Sequence, residues 1–181
     1  MSRPVTGSIC EGVDEDAQRR LDRYMDCLLR WAPRINLTGA ETRDKVFETL
    51  VAPILGAEVL LQPPAIDVGS GNGSPGLILA ALRPETPITL LEPRGKRWAF
   101  LREAVREMGL SHVTVLRQRS EEYRGAPAQT ITLRAVGLDP AKLKAMVRPG
   151  GCILVFGGPP RDQTEVIRLA SGSRVQRCCF T

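Results

Sequence analysis

The sequence predicts an α/β protein in which a parallel sheet, covered by helices on both faces, follows a helical leader. Three observations predict it. From Ala65 onward short apolar runs alternate with amphipathic ones, the rhythm of a parallel sheet whose crossovers are helices. The first of these runs leads into "GSGNGSPG", Gly69 to Gly76, four glycines in eight residues ahead of a helix-like stretch. Before Ala65 the apolar residues recur at helical spacing instead. At 181 residues the chain is long enough to bury a core without staples. The expected division is a leader over 1–62 and a sheet-bearing core over 63–181, together one compact unit.

Each element has a local reason. "DEDAQRRLDRYMDCLLRW" opens on Asp14, an N-cap type, and carries Leu21, Tyr24, Met25, Leu28 and Leu29 along one helical face. Trp31 continues that stripe and is expected to pack as core. "ETRDKVFETLVAPILGAEVL" repeats the pattern with Val46, Phe47, Leu50, Val51 and Ile54, and Pro53 is expected to kink or divide it. Between the two lies "APRINLTG", read as a loop. "AIDV", "ITLLE", "VTVL", "ITLR" and "CILVF" read as strands. "SPGLILAAL", "GKRWAFLREAVREMG" and "PAKLKAMV" read as the intervening helices, with Ser74 capping the first, Pro75 at its first position and Gly109 ending the second. The segment after Phe156 offers one helix-like run and one strand. A final strand is therefore expected to be missing, and the open sheet edge to support weak self-association.

Composition narrows the function. A hydrophobic fraction of 43% with mixed charges is that of a globular chain. No apolar stretch is long enough to span a membrane, and the first ten residues lack a signal-peptide centre. The five cysteines form an odd set without a CxxC pair, which suits reduced thiols in the cytosol better than a disulfide framework or a zinc site. No metal site is expected. The formal charge of +5 is compatible with a polyanionic partner. His112, the single histidine, precedes the third strand and is expected to pack or solvate.

The glycine loop holds the chemistry. Ligands of open α/β sheets bind beyond the carboxyl ends of the strands, where the strand order reverses. Gly71, Gly73 and Gly76 spell G-x-G-x-x-G, and Glu92 ends the next strand at about the 20-residue spacing of a ribose-binding acid. Taken alone, this pattern also fits a nicotinamide dinucleotide and an oxidoreductase. Asp67 turns the balance, because a carboxylate just before the turn opposes a pyrophosphate settling on the helix N-terminus. S-adenosylmethionine has a sulfonium and an ammonium and no phosphate, so an acid there suits it.

The motifs also resemble those of a known family. "RWAPRINLTG", "DVGSGNGSPG", "LLEPRGKRWAFLREAVREMGL", "RQRSEEY", "LRAVGL" and "PGGCILVF", in this order, are similar to the small-subunit ribosomal RNA guanine-N7 methyltransferases, the glucose-inhibited division protein B family. The resemblance runs from about Tyr24 to about Gly158. It implies a Rossmann-like class I methyltransferase core behind a helical cap, with S-adenosylmethionine as methyl donor. The implied acceptor is N7 of a guanine in small-subunit rRNA or an assembling small subunit. It places Gly69, Ser70, Gly71, Gly73 and Ser74 along the cofactor, Asp67 toward its methionine end and Glu92 on the ribose hydroxyls. Ser120 and Glu121 would lie beside the adenine, and Arg134, the candidate catalytic residue, at the mouth of the site. Guanine N7 has a free lone pair and loses no proton on methylation, so placement and a donor such as Arg134 suffice. Arg34, Arg94, Lys96 and Arg97 are expected to form an RNA-facing rim.

The chain departs from the family at Leu50, Pro53 and Ile54, where a histidine and an aspartate–serine pair are usual, at Ser74, where a bulky apolar residue is common, at Gln129 for an acid and at Phe156 for a lysine. These departures keep open a second reading, a relative that binds cofactor or RNA without transferring a methyl group to this substrate.

Overall fold

Caps and breakers set the leader. A computed structural model describes residues 13–134, 138–159 and 164–180. The Asp14 carboxylate accepts from Ala17 N at 2.7 Å and starts α1, Glu15–Trp31. Thr42 caps the short α2, Arg43–Val46, which widens into a π-helical turn over Phe47–Val51 and tightens into a 3₁₀ turn at Ala52–Ile54. Pro53 sits in that last turn and divides the helix as its missing N–H requires.

The five expected strands form: β1 Ala65–Val68, β2 Ile88–Leu91, β3 Val113–Leu116, β4 Ala128–Arg134 and β5 Val147–Phe156. α3, Gly76–Leu82, and α4, Gly95–Met108, lie between them, and Gly109 ends α4 in the left-handed region at φ 68°. Two expectations are corrected here. Pro140–Met146 is a 3₁₀ segment rather than an α-helix. The C-terminal stretch supplies two strands, β6 Glu165–Arg168 and β7 Arg174–Cys179, so the last strand is present. Val166, Ile167 and Leu169 have near-helical spacing, and only pairing with β7 makes the first two a strand.

The described strands form one sheet in the order β3-β2-β1-β4-β5-β7-β6, parallel except where β7 runs against β5 and β6. The strand order reverses between β1 and β4, which are paired in parallel from Ala65↔Thr130 to Val68↔Leu133. With β7 in place, the edge is the four-residue β6, whose exposed Glu165 and Arg168 are of the kind that discourages pairing with another chain. The premise for self-association through a missing strand falls away.

The leader shares its core with the sheet. Leu21, Tyr24 and Leu28 are buried in one cluster with Leu77 of α3 and Phe100 and Leu101 of α4. Trp31 meets Phe100 edge-on at 6.1 Å, which settles it as a packing residue. On the other sheet face Ile66, Val68, Ile131 and Leu133 pack against Leu143 and Met146 of the 3₁₀ segment. The four described cysteines are free thiols, and Cys10 lies outside the described residues.

Candidate active site

At the switch point the glycine loop leaves β1 with Gly69, Gly71 and Gly73 all at positive φ. Beside it lies a groove of about 640 Å³. Gly69, Ser70, Gly71, Ser74, Glu92, Arg94, Arg97 and Arg134 all line it, so the fold brings together most of the residues the sequence singled out.

Glu92 organises the floor. Its carboxylate is 3% exposed and accepts from Gly71 N at 2.9 Å and from Arg94 N at 2.8 Å, one bond to each oxygen. An ionised carboxylate has about four lone-pair sites, so two stay free for a pair of vicinal hydroxyls. A Cβ on Gly71 would stand 3.5 Å from Gly69 O and 3.6 Å from the Arg97 guanidinium, inside the space a ligand needs. These features fit an adenosine ribose over a bare backbone.

The groove lining leaves out Asp67, Gly73, Ser120 and Glu121, and the expected cap at Ser74 is corrected. Asp67 does not line the groove: it is 1% exposed beneath the loop, takes a 2.5 Å hydrogen bond from the Thr132 hydroxyl, and has no hydrogen-bond partner for Oδ2. Burial raises its pKa from 3.8 to about 6, with the Glu92 charge adding to the rise and the Thr132 bond opposing it. Gly73 is absent from the lining as well. Its Cβ would collide with Leu77 and approach Tyr24, so it serves packing. Ser120 and Glu121 line a neighbouring depression with Tyr123, Lys142 and Met146, directly after Arg119 of the groove lining. Ser74 does not cap α3: Pro75 is the N-cap residue and no side chain bonds there. His112 ends away from the groove, with Nε2 buried and unpartnered.

What Ser74 does instead involves Arg134. The Ser74 hydroxyl donates to Leu50 O at 2.8 Å and accepts from Arg134 Nη1. Arg134 Nη1 also donates to Leu50 O at 3.2 Å, and Nη2 to Thr49 O at 2.6 Å. Both carbonyls belong to the end of the leader helix, where main-chain acceptors lack partners and the dipole favours a cation. Pro53 removes the N–H that an α-helix would aim at Thr49 O. Arg134 therefore ties β4, the glycine loop and the leader. Three of its five N–H donors are used and two remain.

The "RINLT" loop is held to the same place. Asn72 Nδ2 donates to Leu37 O at 3.2 Å, Arg97 Nη2 to Asn36 O at 2.9 Å, and the buried Tyr24 hydroxyl to Asn72 O at 2.9 Å. Sequence reasoning missed Leu37, Asn72 and Arg119 as lining residues. The "N" inside the glycine run was the one available signal. Of the departures from the family pattern, Leu50 faces the groove and Pro53, Ile54 and Phe156 a neighbouring cavity. Gln129 lies near the amino end of β4, at the far end of the sheet.

Seven strands in this order with β7 reversed, and a glycine loop at the switch point, define a Rossmann-like methyltransferase fold. Solved methyltransferases share it: a precorrin-6y C5,15-methyltransferase from Geobacter metallireducens (TM-score 0.58, 14% identity, 81% of this chain and 91% of that one). An S-adenosylmethionine-dependent methyltransferase from Aquifex aeolicus is similar (TM-score 0.56, 14% identity, 75% and 93%). Residues 17–168 match the GidB family model, described as rRNA small subunit methyltransferase G, and the chain belongs to that family. Relatives named ribosomal RNA small subunit methyltransferase G include one from Neisseria meningitidis serogroup C, 38% identical over 161 residues (84% of this chain, 73% of the relative). Another, from Xanthomonas campestris pv. campestris, is 34% identical over 178 residues (94% and 82%).

Proposed function

We propose that this protein transfers the methyl group of S-adenosylmethionine to N7 of a guanine in small-subunit ribosomal RNA. The observation that carries the reading is the groove beside Glu92, set in a chain whose residues 17–168 match the family. Glu92 holds the ribose hydroxyls, Gly69 to Gly71 let the cofactor lie against main chain, and Asp67 acts through the loop rather than by contact. When bound, the cofactor supplies an electrophilic methyl on a sulfonium. Guanine N7 has a free lone pair and carries no proton, so accepting that methyl would leave nothing for a base to remove. A general base is unnecessary, and the chain's task is alignment, worth about 7–11 kcal/mol in favourable cases.

The charge distribution supports an RNA partner. Arg19, Arg30, Arg43, Arg83, Arg106 and Arg177 all pair with acids. Arg34, Arg94 and Lys96 are exposed beside the groove and join no ion pair among the described residues. They form a rim for phosphates, whereas Arg97 is engaged by the leader loop. No described helix is long and apolar enough to cross a membrane; we place the protein in the cytosol with its ribosomal substrate.

The test is methyl transfer from labelled S-adenosylmethionine to unmodified small subunits, with nucleosides identified by mass. The expected product is 7-methylguanosine. Label in another nucleoside, or cofactor binding without transfer, overturns the reading.

A further inference from the structure

A second cavity, of about 340 Å³, neighbours the groove, and Arg134 lines both. It lies past the carboxyl ends of β4 and β5, where Arg134 and Phe156 are register partners, on the ligand-binding side of such a sheet. Its walls are of two kinds. Ile54, Phe156 and Val166 are apolar, while Arg174 and Gln176 of β7 are polar. No carboxylate lines it among the described residues. Val166 is one of two large hydrophobic residues exposed among those described, at 44%. Gln176 is already held, its amide donating to Pro159 O at 2.9 Å, so it belongs to the wall. Arg177, three residues on from Arg174, is neutralised by Glu165. The Arg174 side chain has no hydrogen-bond or ion-pair partner among the described residues.

From this juxtaposition we infer that the cavity receives the acceptor guanine, and that Arg174 donates to its O6 edge. The inference rests on the rRNA-guanine reading above. The apolar walls suit the faces of a purine, and the position beside Arg134 sets the base next to the cofactor groove. A guanidinium is the usual partner of the acceptor edge of guanine, whereas adenine presents an amino donor there. Arg174 thereby selects guanine over adenine.

Methyl NMR tests the site without any turnover. Ile54 and Val166 report the cavity, and Leu37 and Leu50 the groove. With the protein saturated by S-adenosylhomocysteine, guanosine monophosphate is expected to shift Ile54 and Val166, adenosine monophosphate much less, and Arg174→Ala to abolish the difference. Shifts confined to Leu37 and Leu50, no shift at Ile54 and Val166, or an unaltered response in Arg174→Ala overturns the inference. Arg174→Ala is also expected to lower kcat/KM on small subunits roughly ten- to a hundredfold. Its affinity for S-adenosylhomocysteine and its melting temperature are expected to stay those of the wild type, and Arg174→Lys to recover part of the loss. Unchanged kcat/KM in Arg174→Ala overturns it too. If the wild type transfers no methyl group while its cavity methyls still respond to guanosine monophosphate, the functional reading fails and the cavity assignment stands.

Discussion

Arg134→Ala removes the one side chain that joins the leader, the glycine loop and β4. The loss comprises a bond to Ser74 Oγ, one to Leu50 O at 3.2 Å and one to Thr49 O at 2.6 Å. Leu50 O keeps the Ser74 hydroxyl at 2.8 Å, and Thr49 is half-buried, so water reaches its carbonyl. No acceptor is left dry, and the cost is that of charged hydrogen bonds rather than of stranded groups. Such bonds contribute about 1.5–3 kcal/mol each. Burial, which lowers the pKa of Arg134, offsets part of that. A net loss of about 2–3 kcal/mol follows, or a fall in melting temperature of roughly 5–10 °C for a domain of this size. Calorimetry of the wild type, Arg134→Ala, Ser74→Ala and the double variant measures it. The two sites are expected to couple by about 1 kcal/mol. Arg134→Lys keeps the charge but not the fork, and is expected to recover less than half. A melting temperature within about 2 °C of wild type, or additive single changes, refutes the clamp and leaves Arg134 a purely ligand-facing residue.

Gly76→Ala would set a Cβ 2.6 Å from Leu90 Cδ2 and 2.7 Å from Asp67 Oδ2; a loss of about 3 kcal/mol is expected in the urea midpoint, and an unshifted midpoint would contradict the packing. Glu92→Gln turns an amide N–H toward Gly71 N–H or Arg94 N–H, so calorimetric affinity for S-adenosylhomocysteine is expected to fall about ten- to a hundredfold. Asp67 has a folded pKa of about 6 against an ordinary 3.8. The unfolded chain therefore loses its proton first, and stability falls as pH rises between those two values and is flat above them. That component, on the order of 3 kcal/mol, is expected to vanish in Asp67→Asn, and identical pH slopes in the two proteins would exclude it. Charge reversal at Arg94 and Lys96 is expected to weaken small-subunit binding and flatten its salt dependence by about one to two in log–log slope; an unchanged slope removes them from the rim.

Local chemistry was legible from the sequence alone. Asp14 starts a helix and Gly109 stops one wherever they stand, because a cap acts within one turn. The apolar runs from Ala65 announce β1 to β5, since both faces of a parallel sheet are buried. The glycines with Glu92 marked the groove, because a bare backbone followed by an acid at that spacing has few other uses. The family motifs carried the reaction class with them.

Tertiary structure decided what depends on partners distant in sequence. β6 exists because β7 pairs with it, and its own residues have no strand periodicity. Ser74 looked like a cap until Leu50, 24 residues away, and Arg134, 60 residues away, claimed its hydroxyl. Ser120 and Glu121 stand where their 3₁₀ turn places them, and no motif states the direction of a turn. The Leu50 side chain departs from the family, yet its main-chain carbonyl makes the contact, and any residue there carries that group whatever its side chain. Main-chain acceptors and cross-strand neighbours are invisible in a list of side chains; only the folded chain assigns them.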